Sequence, residues 1–439
     1  MAKSLVPQDV YRIINLLARE ATGQNTTIQA VDSSSFVSVG ETILATGMEN
    51  VYNALSRVLG RTFMAVRPYD AKLFLINAIN SEMYTERMRK ISFYSKDAQA
   101  SGWFNTNLYN QHGSLMDNGV NRRVWNGSAI PVAGVSASIL PTGGLGNMWE
   151  QNQAMPLEVN FASRDVWDDS LTRYENQTKL AFRGPNEFME FFAGILTEKG
   201  NDIESQKEAF NRMTMLNFIG GAVDLSGSTN GTVIDLKSGF NTKYGTSYTS
   251  KQLLSTYLPE FTKYFVSVVK TVSEFMRIRS KNYHVPFTKT VNGVGYSILR
   301  HTPKDRQRML IYAPLMIEAE ANVFSTIFNP DYLDIGKYEK VTHWQNINNP
   351  MAIDVTPAIP NLSSPASGQT TGNRVQLDHV VGMIYDEDAL LTDYQMDSSY
   401  TTPIEARKGY RNIWWHFSKG SINDFSENHC VFILGNDSQ

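Results

Sequence analysis

The stretch that decides the fold is residues 157–222, which read LEVNFASRDVWDDSLTRYENQTKLAFRGPNEFMEFFAGILTEKGNDIESQKEAFNRMTMLNFIGGA. It opens with strand-like residues 157–161 and then passes an acidic turn at Asp165, Asp168 and Asp169. The sequence therefore predicts an extended polar arm before any long regular element.

A long helix is predicted after Gly184-Pro185, because proline suits the first helical turn, where its missing N–H costs no hydrogen bond. Gly220-Gly221 ends the pattern. Its apolar residues fall roughly on one face of a period of about 3.6 residues. They are Phe188, Phe192, Ile195, Ile203, Phe210, Met213 and Leu216. Gly200-Asn201 marks a place where such a helix can bend. A helix of this length is unusual in an enzyme core and fits a plate-like structural subunit.

The composition excludes several classes of protein. The chain has 439 residues, 42% of them hydrophobic and 19% charged, which is ordinary for a globular chain of two or three domains. A net charge of −3 argues against direct binding of nucleic acid, which needs a basic surface. The single cysteine, Cys430, excludes a disulfide framework within the chain, and its apolar neighbours indicate a buried thiol.

The sequence shows neither a signal peptide nor an apolar run long enough for a membrane span. The longest run, residues 309–317, contains Pro314. We therefore expect a protein without a membrane partner that is made and used in a cytoplasm.

The rest of the chain alternates between helical and strand-like patterns. Amphipathic helices are predicted at residues 10–21, 48–59, 249–279 and 314–328, with a break or kink at Pro259. Strands are predicted at residues 90–95, 132–140, 291–299, 309–312, 338–344, 380–385, 408–418 and 431–434. Residues 24–35 and 363–373 are polar and predict flexible surface segments.

The most enzyme-like residues are Asp386, Glu387 and Asp388, which follow a predicted strand. Carboxylates at a strand end can hold Mg²⁺ or serve acid–base catalysis, but a solvated turn capped by aspartate is the simpler explanation. The histidines lack metal-ligand spacing, and the glycine-rich residues 142–146 lack the lysine and helix of a phosphate-binding loop. The sequence therefore predicts no catalytic residue, no cofactor and no metal.

An extended arm, an acidic turn, the segment NQTKLAF at residues 176–182 and a long spine helix occur here in that order. This layout resembles the major capsid proteins of tailed bacteriophages, the Hong Kong 97 fold, and is nearest in texture to those of small podophages. The resemblance implies an α+β fold. It places the N-terminal arm and helices in 1–66, an extended loop with room for a subdomain in 67–176, the peripheral domain with the spine helix in 177–235, the axial domain in 236–395, and return strands with a final axial strand in 396–439.

The resemblance also implies a structural function, which is self-assembly into the icosahedral or prolate head that encloses double-stranded phage DNA. The implied partners are copies of the same chain in pentamers and hexamers, with scaffolding, portal or decoration proteins as further candidates. DNA would be enclosed without sequence-specific contact. The implied location is the virion, after assembly in the host cytoplasm.

Contacts between copies need charged and aromatic side chains that are not used within the chain. The candidates are Arg87, Arg89, Lys90, Trp103, Trp149, Asp165, Asp168 and Asp169. Two alternative functions stay open from the sequence. One is another structural protein of the virion, such as a portal or tail component. The other is an enzyme acting on carbohydrate or phosphate through Asp386, Glu387 and Asp388.

Overall fold

The computed structural model describes residues 7–23, 29–65, 73–76, 88–96, 155–161, 164–226, 231–285, 287–291, 294–322, 337–361 and 368–436. The chain divides into two compact units. Unit 1 comprises Met1–Arg89, Asn160–Val285 and Arg300–Gln439, and unit 2 comprises Lys90–Val159 and Pro286–Leu299. Helices and mostly antiparallel sheets occur together in the described residues, so the predicted α+β class is confirmed.

Nine α-helices lie in the described part of the chain. They are α1 (Pro7–Thr22), α2 (Ser33–Ala45), α3 (Met48–Ala65), α4 (Glu175–Ala181), α5 (Pro185–Asp224), α6 (Leu236–Tyr244), α7 (Ser250–Leu253), α8 (Leu258–Met276) and α9 (Ala313–Asn322). The predicted helices at 10–21 and 48–59 are confirmed as α1 and α3. The predicted break at Pro259 is also confirmed, because α7 ends at Leu253 and α8 begins with Pro259 in its first turn.

The long helix α5 has 40 residues and begins where the sequence predicts, with Gly184 in an extended conformation and proline in the first turn. Its helical structure continues through Gly200 and Asn201, so those residues do not interrupt it. At the other end, a Cβ atom on Gly221 would lie 2.4 Å from the Phe425 ring. This glycine therefore allows an aromatic side chain to pack directly against the helix backbone.

The strands of the described residues are β1 (Met88–Lys96), β2 (Met155–Phe161), β3 (Arg164–Tyr174), β4 (Val233–Asp235), β5 (Thr288–Val291), β6 (Val294–Ser297), β7 (Gln307–Tyr312), β8 (Lys337–Val341), β9 (Ile353–Val355), β10 (Ala358–Pro360), β11 (Gln369–Thr371), β12 (Val375–Leu377), β13 (His379–Asp386), β14 (Leu390–Thr401), β15 (Tyr410–Asn423) and β16 (His429–Leu434). They form a five-stranded sheet in the order β4-β16-β13-β7-β8, a three-stranded sheet β14-β15-β3, a four-stranded sheet β2-β1-β6-β5, and the pairs β10-β11 and β12-β9.

The five-stranded sheet is built around β13, which is buried on both faces over almost its whole length. It pairs antiparallel with both β16 and β7. A Cβ atom on Gly382 would lie 2.8 Å from the carbonyl oxygen of Leu310, so only glycine fits at this close approach of two strands.

The three-stranded sheet has one covered face and one open face. Along β15, buried residues alternate with partly exposed ones, as the sequence predicts. The inner face, defined by Leu171, Ile413, Trp415 and Phe417, is buried. It belongs to a hydrophobic core shared with helices α1, α2, α3 and α5.

Helix α5 passes along two separate hydrophobic cores within unit 1. Its first half contributes Phe188, Phe192 and Ile195 to the core that the N-terminal helices and the three-stranded sheet share. Its second half contributes Phe218 and Ile219 to a core with α8 and the five-stranded sheet. The helix therefore joins two cores rather than presenting one continuous apolar stripe.

The prediction for Met213 is wrong, because its side chain is 58% exposed. Between the two cores, α5 buries polar residues instead, with Lys207, Asn211 and Thr214 almost inaccessible. A helix that passes from one core to another changes its buried face, so a single helical period does not identify all of its core residues.

Unit 2 contains the four-stranded sheet, in which strands distant in sequence pair. Ser95 lies opposite Ser297, and Lys96 lies opposite Tyr296. The predicted strand at 132–140 lies outside the described residues. The five-part domain division expected from the resemblance stays a prediction.

Candidate assembly surfaces

The acidic residues Asp165, Asp168 and Asp169 lie within strand β3, so the predicted acidic turn is wrong. They pair in register with Lys419, His416 and Trp415 of β15. The strand forms because β15 supplies its hydrogen bonds and an apolar neighbouring side chain at every second position. That partner is remote in sequence and leaves no local signal.

Two of the three carboxylates are used within the chain. Asp165 lies 3.1 Å from the Lys419 ammonium group, and Asp169 lies 3.3 Å from that of Lys199 on α5. Asp169 also accepts a 2.8 Å hydrogen bond from the backbone N–H of Ser170. Because β3 is an edge strand, this bond occupies a backbone donor that another strand would otherwise use.

Asp168 differs from its two neighbours. Its side chain is exposed and makes no hydrogen bond or ion pair with another residue of the described chain. The alternation of β3 places it on the sheet face opposite to Leu171, which is buried in the core. Asp168 is therefore the carboxylate of this group that is available to a partner.

The face that carries Asp168 also carries an aromatic array, and we call it the outer face. Its residues are Tyr174, Tyr400, Tyr410, Trp414 and His416. The rings of Tyr174 and Tyr410 meet edge to face at 6.0 Å, and those of Tyr400 and His416 at 5.5 Å. Tyr400 is 62% exposed. Partly exposed aromatic rings beside one free carboxylate are typical of a protein contact surface.

Strand β1 of unit 2 has its apolar side chains on the exposed side. Ile91 is 50% and Phe93 is 60% exposed, whereas Ser92 between them is only 6% exposed. The sequence predicts this strand but gives no sign of which face is covered. Together, these exposed apolar side chains form a candidate contact surface.

The basic and aromatic candidates near β1 are described only in part. Lys90 lies in β1 and is half-buried, and for Arg89 the structure describes the strand backbone. Arg87, Trp103 and Trp149 lie outside the described residues. No described contact joins the basic candidates to the acidic ones.

The carboxylate cluster at the end of β13 is held by arginines. Asp386 accepts a 2.8 Å hydrogen bond from the Thr302 hydroxyl and one of 3.1 Å from the backbone N–H of Asp388. Arg306 contacts Asp388 directly and lies 3.3 Å from Glu387.

Each acidic residue of this cluster thus faces an arginine or a hydrogen-bond donor. Burial disfavours the charged form of Arg306, but the carboxylates of Asp386 and Asp388 outweigh it, so the pKa of Arg306 is raised. The cluster therefore has the features of an ion-paired turn, and the described residues offer no free carboxylate pair for acid–base catalysis there.

A cavity of about 680 Å³ lies beside α5 and is lined by Met213, Arg212, Gln345 and Val355 among others. The charged group within it is already paired, since Arg212 lies 2.8 Å from Glu208 and donates to the backbone carbonyl of Trp344 at 3.3 Å. The charged residues of this lining, Glu208 and Arg212, form an ion pair with each other, so neither is placed as a free acid or base.

The predicted buried thiol is confirmed: Cys430 is inaccessible, and burial raises its pKa above the ordinary value. His429 beside it is also inaccessible, and burial lowers its pKa to about 4. Within the described ranges, no group of three or more histidine, cysteine, aspartate or glutamate side chains has the arrangement of a metal site. None of the described helices combines the length and apolarity needed to cross a membrane.

Several solved structures from phage heads are similar to this chain. The capsid of Staphylococcus phage Andhra shares 11% identity at a TM-score of 0.44, covering 83% of this chain and 84% of that one. A structure of the head fiber and inner core protein gp22 of native bacteriophage P68 shares 11% identity at a TM-score of 0.46, with the same coverage of both chains. The capsid of Cyanophage P-SCSP1u shares 10% identity at a TM-score of 0.38, covering 82% of this chain and 86% of that one.

No protein-family model and no curated protein matches the chain. The similar structures come from phage capsids and heads, the class of protein that the sequence resembles. Because their identities are low and their TM-scores are below 0.5, the function proposed next rests on the residues of this chain.

Proposed function

We propose that the chain is the major capsid protein of a tailed bacteriophage and that its activity is assembly, not catalysis. The observation that carries this proposal is the outward-facing apolar side of β1, with Ile91 50% and Phe93 60% exposed. Exposed apolar side chains that lie together on one strand face offer a surface that a neighbouring subunit can cover.

The outer face of the three-stranded sheet is the proposed receiving surface on a neighbouring copy. It offers aromatic side chains to the apolar face of β1 and the exposed carboxylate of Asp168 to Arg87 and Arg89 at the start of that strand. Lys90, which alternates with Ile91, belongs to the other face of β1. In this arrangement, the part of residues 67–176 that precedes β3 laps over the neighbour, while β3 itself belongs to the receiving sheet. Arg87, Arg89, Trp103 and Trp149 belong to the lapping side of the contact, and Asp165 and Asp169 shape the receiving side.

Many such contacts of modest strength add up to a stable closed shell, because each added subunit is held by several neighbours at once. We propose that the copies form pentamers and hexamers in a virion that assembles in the host cytoplasm, with scaffolding, portal or decoration proteins as further partners. The net charge of −3 suits a container, since a strongly basic lining would retain the enclosed DNA.

The proposal is tested by replacing Phe93 with serine. We expect wild-type protein to form megadalton spherical particles in size-exclusion chromatography and negative-stain images. The Phe93→Ser subunit should stay folded by circular dichroism but elute as free subunits or small oligomers, because it loses an apolar contact in every interface.

The matched control is Ile347→Ser, which removes an apolar side chain that is 75% exposed in unit 1 and belongs to neither proposed surface. This variant should assemble like wild type. Normal particles from Phe93→Ser would contradict the proposed contact. A wild-type chain that forms a ring of about a dozen copies would favour a portal, and a wild-type monomer at high concentration would contradict assembly altogether.

A further inference from the structure

A short turn at Phe74–Ile76, with Leu73 before it, lies between α3 and β1 along the chain. Leu73 and Ile76 are completely buried in the core around the five-stranded sheet. Leu73 has a φ angle of 64°, the only positive φ at a non-glycine residue in the described structure. A leucine adopts this left-handed conformation only where its surroundings impose it.

Two buried polar side chains from different elements hold this turn. The carboxylate of Glu339 on β8 accepts hydrogen bonds from the backbone N–H groups of Leu73 and Leu75, the second at 3.2 Å. From α5, the side-chain amide of Asn211 donates to the carbonyl of Leu73 at 3.3 Å. Glu339 is 6% and Asn211 is 1% exposed, so water does not replace these bonds in the closed structure.

A third element orients the asparagine. The Thr392 hydroxyl on β14 donates to the side-chain oxygen of Asn211 at 2.6 Å, and the Tyr394 hydroxyl lies 3.1 Å from the same atom. The amide group of Asn211 therefore has a fixed orientation, with its N–H directed to Leu73. A buried polar network of this kind is stable when complete and costly when half-broken, so it opens as a unit.

We propose that residues 73–76 form a releasable latch, held shut by Glu339 and Asn211 against the strain at Leu73. If the turn served only as an anchor, the buried side chains of Leu73 and Ile76 would be enough to hold it, and its backbone would need no strained conformation. The strained backbone and the polar clasp instead oppose each other, which gives the turn a closed and an open state. Opening frees this stretch, the last described turn before β1, while the rest of unit 1 stays folded. The latch does not depend on the proposed function.

Hydrogen–deuterium exchange with mass spectrometry tests the latch in the full-length chain. Peptides over residues 73–76 should exchange faster than peptides over β13, and low concentrations of urea should barely change their rate, because a local opening exposes little surface. In Glu339→Gln, a neutral amide offers one acceptor in place of the carboxylate. Exchange at residues 73–76 should then rise by roughly tenfold or more, with β13 unchanged.

The matched control is Glu387→Gln, which removes a partly exposed carboxylate that contacts Arg308. It should leave exchange at residues 73–76 as in wild type. If Glu339→Gln does not fold, the urea series on wild-type protein decides alone. Residues 73–76 that exchange at the rate of β13, with the same urea dependence, would overturn the latch, because the turn would then open only when the whole unit unfolds.

Discussion

Strand β15 in unit 1 and strand β1 in unit 2 have the same two-residue alternation, but their apolar side chains lie on opposite kinds of face, covered in β15 and exposed in β1. In β15, the inward residues Trp415 and Phe417 are at most 1% exposed, because a hydrophobic core covers them. In β1, the inward residue is Ser92, and the apolar Ile91 and Phe93 face outward. Alternation in sequence thus identifies a strand but not the covered face. The described cores of unit 1 are covered within one chain, whereas β1 exposes apolar side chains.

The largest expected effect that tests this comparison comes from a pair of phenylalanine truncations. Phe188 is completely buried, and its ring packs against Phe36 at 5.7 Å and Phe182 at 5.5 Å. Phe188→Ala should lower the free energy of unfolding by about 3–5 kcal/mol, because it removes apolar burial and leaves a cavity.

The partner variant Phe93→Ala should change the unfolding free energy of the dissociated subunit by no more than about 0.5 kcal/mol. Urea denaturation followed by tryptophan fluorescence and circular dichroism measures both variants. Equal losses of stability would mean that Phe93 is covered within its own chain, and the contrast between the two strands would fail.

Sequence reasoning identified the elements whose signals are local. Proline marked the start of α5, and alternation marked β15. The predicted end at Gly220-Gly221 is wrong, because α5 continues through both glycines to Asp224. Sequence reasoning failed where the conformation or burial of a segment depends on residues that are distant in the sequence. The acidic residues of β3 form a strand because β15 pairs with them, and Met213 is exposed because α5 changes its buried face between two cores.

The candidate site was predictable to a similar degree. Asp168 could be selected as an acidic candidate, but its difference from Asp165 and Asp169 depends on the pairing of those two with Lys419 and Lys199. Ile91 and Phe93 have an apolar character that the sequence shows, while their exposure depends on pairing between segments far apart in the chain. The hydrogen bond between the Leu73 backbone and Glu339 cannot be predicted from the sequence around either residue.

The burial of His429 in unit 1 allows a second test, which measures how the free energy of unfolding depends on pH. The ring of His429 lies edge-on to Phe218 at 5.0 Å and to Phe425 at 6.1 Å. Its Nδ1 atom lies 2.8 Å from the carbonyl of Glu427, while Nε2 has no hydrogen-bond partner among the described residues. Burial lowers the pKa of His429 to about 4, although the hydrogen bond with the Glu427 carbonyl acts in the opposite direction.

Because the folded pKa lies below the ordinary value of 6.5, the unfolded chain binds more protons between these two values. The contribution to stability is complete above about pH 6.5 and is lost as the pH falls towards 4, by about 3 kcal/mol in total. His429→Asn keeps an N–H donor and cannot titrate in this range, so its unfolding free energy should fall less steeply with acid. Urea denaturation from pH 7 to 4.5 measures the slope, and identical slopes for the two proteins would show that His429 is not sealed from water.

The smallest expected effect compares covered and uncovered carboxylates within one turn. Asp386 has 5% of its side chain exposed and accepts hydrogen bonds from Thr302 and from the backbone of Asp388, whereas Asp388 has 52% exposed. Asp386→Asn should cost about 2 kcal/mol of unfolding free energy, because an amide replaces a buried hydrogen-bonded carboxylate. Asp388→Asn should cost less than about 1 kcal/mol, since its bond to Arg306 is a surface ion pair. Urea denaturation at neutral pH measures both, and the Asp388→Asn protein should still assemble. A larger loss from Asp388 than from Asp386, or a hydrolytic activity that only Asp388→Asn abolishes, would mean that the turn serves chemistry rather than packing.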